Sequence, residues 1–293
     1  MELRILRSFL AVAREQSITG AARFLHITQP SLSRQIMELE EELGATLFHR
    51  GNRKITLTAE GMLLRKRAEQ IVELVRKTEE ELTATEETVT GAIHIAAGET
   101  HAFRALAKNI KILIKQHPDI RIHLFSGNAE DVTERLDRGL VDFGLLIEPA
   151  DVTKYDYLRL PAIDTWGVLM RKDSALASLE SIQPEHLWNV PLITSRQAMV
   201  GGQLPSWLNL APAKLNVVAS YNLLFNASLL VEAGIGYALC LDNIIDTTGD
   251  SSLCFRPLVP RLESYVNIVW RKSQVFSRAS VLFLEKMRTE NII

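Results

Sequence analysis

Residues 16–50 read QSITGAARFLHITQPSLSRQIMELEEELGATLFHR, and this stretch decides the fold of the N-terminal region. Apolar residues recur in it at helical spacing in two groups, separated by a short break. The groups are Ile18, Ala21, Ala22 and Leu25, and then Leu32, Ile36, Leu39 and Leu43. The spacing predicts two short helices joined by a tight turn. This is the helix-turn-helix arrangement, whose second helix enters the DNA major groove.

The predicted second helix carries its own start signals. Thr28 is placed to cap it, and Pro30 lies in its first turn, where a missing N–H costs nothing. The face opposite the apolar stripe offers hydroxyl, amide and guanidinium groups that suit phosphates and base edges. We therefore expect DNA contacts from Thr28, Gln29, Pro30, Ser31, Ser33, Arg34 and Gln35. The alternative is a solvated amphipathic helix pair in an unrelated bundle.

A basic hairpin follows the helix pair. Gly51 and Asn52 form a turn signal between two short extended segments, which predicts the wing of a winged helix. The tip carries Arg50, Arg53 and Lys54, placed to contact phosphates or the minor groove. An ordinary charged hairpin tip is the alternative.

The charge distribution agrees with a DNA-binding N-terminal region. The whole chain of 293 residues has a formal net charge of −2. Residues 1–67 nevertheless hold eleven Lys and Arg against seven Asp and Glu, a net charge of +4. Residues 68–90 hold two basic and seven acidic residues, a net charge of −5. The positive charge is thus confined to the segment that would neutralise phosphates.

Residues 58–87 form one long helical pattern. Its apolar positions alternate spacings of four and three, which is a heptad seam that calls for a partner helix. The seam residues are Leu64, Ala68, Ile71, Val75, Thr78 and Leu82. We predict a linker helix that makes a homodimer, so that a two-fold protein reads two half-sites. The alternative is a single amphipathic helix that lies on its own domain.

Strand and helix patterns alternate from residue 93 onward. Strands are predicted at 93–97, 120–126, 142–147, 167–171, 192–194, 216–219, 237–241 and 265–271, and helices at 101–116, 129–138, 223–233 and 276–289. Such alternation indicates mostly parallel sheets covered by helices on both faces. The region is too long and irregular for one compact five-stranded sheet. Two linked subdomains fit better.

The chain resembles the LysR-type transcriptional regulators. In the N-terminal region the similarity rests on residues 9–13, 17–22, 28–36, 39–44, 47–50 and 57–61, and later on 126–128, 136–144 and 231–237. The resemblance implies a multidomain α+β fold: a winged helix-turn-helix (1–58), a linker helix and hinge (59–90), and a two-lobed effector domain like a periplasmic binding protein (91–293). Lobe one would be about 92–161 plus 270–293, and lobe two about 162–268. It also implies a homotetramer that bends promoter DNA, with RNA polymerase as a further candidate partner.

A small-molecule effector would bind between the lobes. In open α/β sheets, ligands bind beyond the carboxyl ends of strands, near helix N-termini. The loops that meet this description carry Thr100, His101, Asn128, Thr194, Ser195 and Arg196. The resemblance points to Thr100, Asn128 and Thr194 in particular. Arg196 would suit a carboxylate ligand, whereas Glu99 argues against a strongly anionic one unless it points away.

Other classes of protein have less support. The chain has no nucleophile elbow, no phosphate-binding loop and no dinucleotide fingerprint, so we do not expect an enzyme. The histidines lack metal-ligand spacing, and we expect neither a metal nor a cofactor besides the effector. Cys240 and Cys254 are read as buried thiols. Without a signal-peptide core or a membrane-length apolar run, we expect a cytoplasmic protein. A binding protein of the same two-lobed fold without a DNA role is the main alternative, but it leaves residues 1–90 unexplained.

Overall fold

The computed structural model describes residues 1–50, 54–83, 89–200, 203–209 and 214–290, and leaves out the side chains of residues 50, 77, 80–83 and 290. The chain divides into two compact units, Met1–Thr83 and Ala84–Ile293. Each unit has hydrophobic cores of its own. Among the described helices, none combines the length and apolar character that crossing a bilayer demands.

The N-terminal unit is a helix-turn-helix followed by a hairpin and a long helix. Its described elements are α1 (Leu3–Glu15), α2 (Ile18–Phe24), α3 (Gln29–Leu43), β1 (Phe48–Arg50), β2 (Ile55–Leu57) and α4 (Ala59–Thr83). The Ser17 hydroxyl caps α2 by accepting the Gly20 N–H at 3.1 Å. Ala21 and Leu32 are fully buried in one core with Phe9, so α1, α2 and α3 cross closely. The predicted helix-turn-helix is confirmed.

Thr58 and Gly61 fix the start of α4 against the preceding chain. The Thr58 hydroxyl accepts the Gly61 N–H at 2.9 Å and donates to the Thr46 carbonyl at 2.7 Å. A Cβ atom added at Gly61 would lie only 2.1 Å from the Leu47 carbonyl oxygen. Since real Cβ atoms do not approach backbone oxygens so closely, this contact requires glycine.

The C-terminal unit alternates strands and helices. Its described elements are β3 (Gly91–Ala97), α5 (Phe103–Gln116), β4 (Ile120–Ser126), α6 (Ala129–Asp137), β5 (Phe143–Ile147), β6 (Tyr155–Arg171), β7 (Leu192–Ser195), α7 (Arg196–Val200), α8 (Gln203–Leu208), β8 (Val217–Tyr221), α9 (Leu224–Glu232), β9 (Tyr237–Leu241), β10 (Leu253–Pro257), β11 (Glu263–Arg271) and α10 (Arg278–Glu290). Two short 3₁₀ turns lie between β6 and β7.

The strands are arranged in two lobes that share β6. The sheet order is β4-β3-β5-β11-β6-β9-β7-β8, with β10 also paired to β6. The outer strands of each lobe run parallel, whereas β11 and β6 pair antiparallel with their neighbours. Lobe one is built on β3, β4, β5 and the first half of β6, and lobe two on its second half with β7–β10. The predicted two-lobed α/β fold is confirmed, although the sheet is more mixed than we expected.

The two strands that cross between the lobes differ from their sequence predictions. We predicted a strand at 167–171, but β6 begins at Tyr155. The prediction missed the first half of the strand because that half is mostly exposed, contains Pro161 and carries no continuous apolar run. We also assigned residues up to 268 to lobe two. This boundary is wrong, since Val266 and Ile268 pair with β5 and lie fully buried in the core of lobe one.

A bulge interrupts the pairing of β6 and β11 where the chain passes between the lobes. Tyr265 is opposite Ile163, but Asn267 is opposite Arg159, so Val266 alone faces residues 160–162 of β6. Such a bulge bends and twists a strand pair locally. It marks the boundary between the lobes.

Candidate DNA interface and effector cleft

Helix α3 presents one face to its own core and the other to solvent. Leu32, Ile36 and Leu39 are buried beneath α1 and α2. The Thr28 hydroxyl caps the helix by accepting the Ser31 N–H at 3.4 Å. The capped N-terminus is therefore held rigidly at the surface, as a base-reading helix must be.

The structure places most of the predicted DNA contacts on this exposed face. Thr28, Gln29, Pro30, Ser31 and Arg34 are exposed, and Ser33 is half-buried. Gln35 is a correction. Its Oε1 accepts the Ser8 hydroxyl of α1 at 2.8 Å, and the side chain is half-buried, so it joins α3 to α1 and is not a free group on the exposed face.

Arg34 is the most accessible charged group of the α3 face. Its side chain is 79% exposed, and Nε donates to the Glu38 carboxylate at 2.7 Å. An exposed pair of this kind is worth at most about 1 kcal/mol, so the guanidinium can leave it for a base or phosphate at small cost. Met37 is also exposed and lies one turn beyond Ser33, a position that the polar motif did not indicate.

The wing is anchored at both of its described strands. The Glu40 carboxylate of α3 accepts the Leu47 and Phe48 N–H groups at 2.7 and 3.2 Å, and the Ile55 N–H donates to the Gln16 carbonyl. Nothing in the local sequence pattern indicated this role of Glu40. Lys54 is exposed. The Arg50 side chain and Arg53 lie outside the described residues.

The predicted dimer seam on α4 is divided between two environments. Ala68 is fully buried against α1 and its neighbours, and Leu64 packs on the same core. Ala68 is therefore used within the chain, and its assignment to a dimer seam is corrected. Leu64 is only partly buried, and its place in the seam stays a prediction. Ile71 is 39% exposed, Val75 is half-buried and Thr78 is exposed. The Leu82 side chain is not described.

A cleft lies between the two lobes of the C-terminal unit. Its volume is about 80 Å³, enough for a compact molecule of a few heavy atoms. Loops after β3 and β4 form one wall, and segments next to β7, β8 and β9 form the other. The lining residues that concern us are Gly98, Glu99, Asn128, Glu148, Trp166, Ser195, Gln197, Tyr221 and Asn222.

Of the six predicted effector contacts, Asn128 and Ser195 line this cleft. Asn128 has a second task, because its Oδ1 accepts the Asp131 N–H while the Asp131 carboxylate accepts the Asn128 N–H, each at 3.0 Å. This reciprocal pair is a capping box at the start of α6. Asn128 thus caps α6 and lines the cleft at the same time.

Thr100 and His101 were predicted as effector contacts, but neither of them lines the cleft. The Thr100 hydroxyl donates to the carboxylate of Asp164 at 2.5 Å and is buried, so it supports the strand that leads into lobe two. Asp164 is fully buried, and this burial raises the pKa of its carboxyl. His101 lines a neighbouring pocket with Arg104 and Asn243, outside the cleft.

Thr194 and Arg196 are also not among the lining residues of the cleft. Thr194 is 2% exposed within β7. Arg196 is exposed and borders an outer pocket beside Asp137 and Asp151. The residue that turns toward the cleft from α7 is Gln197, which sequence reasoning missed because nothing in the local pattern fixes the rotation of so short a helix.

Four further lining residues were not predicted. Glu148 follows β5, and its Oε1 accepts from Arg159 at 2.6 Å and Asn267 at 2.9 Å. Trp166 donates its indole N–H to the Ser264 hydroxyl, and Tyr221 donates its hydroxyl to the Leu239 carbonyl. Position at a strand end is a usable signal for Glu148 and Tyr221, together with Asn222 just beyond β8.

The two cysteines are separated by the sheet. Cys240 and Cys254 are on β9 and β10, which flank β6, and they belong to different cores. Strands two apart are about 9.6 Å from each other, beyond the reach of a disulfide. Burial also raises the pKa of the Cys240 thiol to about 12, so it stays protonated at neutral pH. Both residues are buried thiols, as expected.

Together these units define a class of protein: a helix-turn-helix DNA reader joined in one chain to a two-lobed ligand-binding module. Residues 3–62 match the family model for the bacterial regulatory helix-turn-helix protein of the lysR family. Residues 86–291 match the LysR substrate binding domain. The chain therefore belongs to the LysR family of transcriptional regulators. It is a DNA-binding regulator of transcription with an effector-binding domain.

Individual relatives agree with this assignment. The chain is 26% identical to the uncharacterized regulator YfeR of Shigella flexneri, over 98% of this chain and 94% of that one. It is 39% identical to the regulator BenM of Acinetobacter baylyi over 49% of this chain and 47% of BenM. The crystal structure of full-length CbnR with its target DNA has the same fold, with a TM-score of 0.76, 21% identity and 99% coverage of both chains.

Proposed function

We propose that this regulator reads promoter DNA with the exposed N-terminal face of α3, and that a small molecule in the cleft controls the outcome. One observation carries the first part. The helix buries Leu32, Ile36 and Leu39 and presents Gln29 and Arg34 to solvent. Such groups read base edges in the major groove, and Arg pairs best with guanine.

The basic residues of the wing would add contacts that do not depend on base sequence. Lys54 is exposed beside β2, and Arg50 and Arg53 precede it in the sequence. Cations at a hairpin tip contact phosphates or the minor groove, which strengthens binding and makes it depend on salt. Met37 would give the reading face an apolar group suited to a thymine methyl.

We further propose that α4 dimerises the protein. Ile71, Leu74 and Thr78 are exposed in its second half, and Met62 and Leu63 are exposed in its first half, where Ala68 is buried in its own unit. A two-fold dimer reads two half-sites, and linkage raises the affinity through effective concentration. Association of two dimers into a tetramer, and contact with RNA polymerase, are extensions of this proposal.

The cleft is the proposed effector site, with Asn128 and Ser195 as the retained predicted contacts and Gln197, Trp166 and Tyr221 as added ones. A ligand shifts the regulator between two states only if it binds them with different affinity. Contacts from both lobes meet this condition, because any change in the separation of the lobes alters them. We propose no catalytic step. Since the protein would bind promoter DNA, we propose that it works in the cytoplasm.

A selection of genomic DNA fragments bound by the purified full chain, at two salt concentrations, tests the proposal. We expect a discrete site, an interrupted inverted repeat, with recovery that falls steeply as salt rises. Arg34→Ala is the matched variant, and it should lose the preference for that site. A folded protein that enriches no common site would contradict the proposal.

A further inference from the structure

Two of the helices that border the cleft, α6 and α9, are capped in different ways. Helix α6 is capped locally by Asn128 and Asp131. Helix α9 has Leu223 at its N-cap position, whose side chain cannot cap the helix, and no acidic residue in its first turn. The Asn222 Oδ1 accepts the Leu223 N–H at 3.0 Å but leaves the Leu224 N–H to another acceptor. The cap of α9 comes from the opposite lobe, because the Glu99 carboxylate accepts the Leu224 N–H across 125 residues of chain.

A second contact crosses the cleft in the other direction. The Gln197 Oε1 of lobe two accepts the Ala129 N–H at the start of α6, at 3.0 Å. Each lobe thus provides a side-chain hydrogen-bond acceptor to the N-terminus of a helix in the other lobe. The N-terminus of a helix favours an anion, because its free N–H groups and its dipole point outward. Glu99 supplies such an anion to α9, whereas the Gln197 amide is uncharged.

The charges around the cleft follow from this arrangement. Among the described residues that line it, none is Lys, Arg or His, and two are carboxylates, Glu99 and Glu148. Glu148 forms an ion pair with Arg159 at 2.6 Å. Glu99 has no comparable cation in that lining. His101 and Arg104 line the adjoining pocket with Glu99, but no described residue forms an ion pair with it. A ligand in the cleft therefore meets a half-buried carboxylate whose hydrogen-bond partner is the α9 terminus, where charge matters more than in bulk water.

We propose that Glu99 is an anionic ligand which the protein itself supplies to lobe two, and that the effector is a compact hydrogen-bond donor without negative charge. This inference rests on the proposed use of the cleft as the effector site. An anionic effector would have to displace Glu99 from α9 and leave that carboxylate within the same small cavity. An uncharged or cationic donor satisfies the carboxylate and leaves the cap in place.

Three isosteric probes separate the charge classes: acetate, acetamide and acetamidinium, each with four heavy atoms and a size that suits the cleft. The thermal unfolding midpoint of the full chain is measured with each probe at about 50 mM against sodium chloride of equal ionic strength. We expect acetamidinium and acetamide to raise the midpoint of the wild type more than acetate does. For Glu99→Ala, acetate should occupy the vacated position on α9 and raise the midpoint by about 2 °C or more.

Two variants control this experiment. Glu99→Gln fills the position without charge, so acetate should not rescue it. Gln197→Ala removes the other cross-lobe contact but leaves α6 with Asp131, so it should gain no acetate effect. The proposal is overturned if acetate stabilises the wild type as much as acetamidinium does, or stabilises Glu99→Ala no more than the wild type. Binding to the genomic site, measured in parallel, distinguishes this failure from failure of the proposed function.

Discussion

The helix-turn-helix and the cleft obtain their functional side chains in opposite ways. The reading face of α3 comes from one short segment, residues 28–34. The Thr28 side chain at the start of this segment caps the helix. The cleft is assembled from segments far apart in the chain, and α9 is capped by Glu99 from 125 residues away. The first kind of site tolerates changes elsewhere in the fold, whereas the second depends on both lobes at once.

The largest effect should come from the tight contact that supports the reading unit. Gly61→Ala forces a Cβ against the Leu47 carbonyl oxygen, and we expect a loss of about 3 kcal/mol in the free energy of unfolding of that unit. The matched control is Gly20→Ala in α2, where the nearest atom would lie 3.4 Å from the new Cβ. That variant should gain about 0.5–1 kcal/mol. Urea unfolding, monitored by near-UV circular dichroism, measures the free energy of unfolding of both variants. Equal stability of the two variants would refute the packing argument.

The next effect concerns association. Ile71→Glu with Val75→Glu places two charges on the second half of α4, and we expect at least a 100-fold weaker dimer, about 2.7 kcal/mol. Lys66→Glu makes the same change in net charge on the opposite face of the helix and should leave the dimer intact. Sedimentation velocity measures the result. A double variant that sediments like the wild type would rule out dimerisation through α4.

Arg34→Ala should come third, with a loss of about 1–3 kcal/mol in discrimination between the selected site and unrelated DNA, and with unchanged stability. Gln35→Ala should behave in the opposite manner, with lower stability and unchanged discrimination, because it removes the bond between Ser8 and α3. Competition binding and thermal unfolding of both variants provide the comparison. If Gln35→Ala were the one that lost discrimination, our assignment of the two side chains would be reversed.

The smallest effect should be a pH dependence at the lobe crossing. Burial raises the pKa of Asp164 above that of the unfolded chain, so the folded protein holds this proton more tightly. The stability of the wild type should therefore fall relative to Asp164→Asn as the pH rises above about 4 toward neutrality. Urea unfolding at several pH values tests the direction. A stability difference that stays constant with pH would contradict the assigned titration.

Local interactions explain what the sequence could predict. The caps of α2 and α3 and the apolar stripes of α3 all lie within a few residues of each other, so the pattern determined the helix-turn-helix and its exposed face. The same holds for the strand-helix alternation of the lobes. Gln35 was misjudged because its partner, Ser8, lies 27 residues away, in a helix whose packing the motif does not specify.

The cleft was only partly predictable for the same reason. Position at strand ends correctly indicated Asn128 and Ser195 as cleft residues. It failed for Thr100, because the Thr100 hydroxyl binds the carboxyl group of Asp164, which is 64 residues away in the chain. No local signal could assign Gln197 rather than Arg196 to the interior. Ala68 illustrates a different limit, because a heptad seam cannot say whether its apolar face meets another chain or its own. The absence of a metal or further cofactor stays a prediction.

The strand that runs through both lobes has a mechanical consequence. Since β6 continues from Tyr155 to Arg171 without a loop, the lobes cannot swing apart like two bodies on a flexible tether. Any relative motion of the lobes has to twist the paired strands β6 and β11. Their pairing is interrupted where Val266 lies opposite residues 160–162. The lobes would therefore move by twisting relative to each other more than by opening and closing.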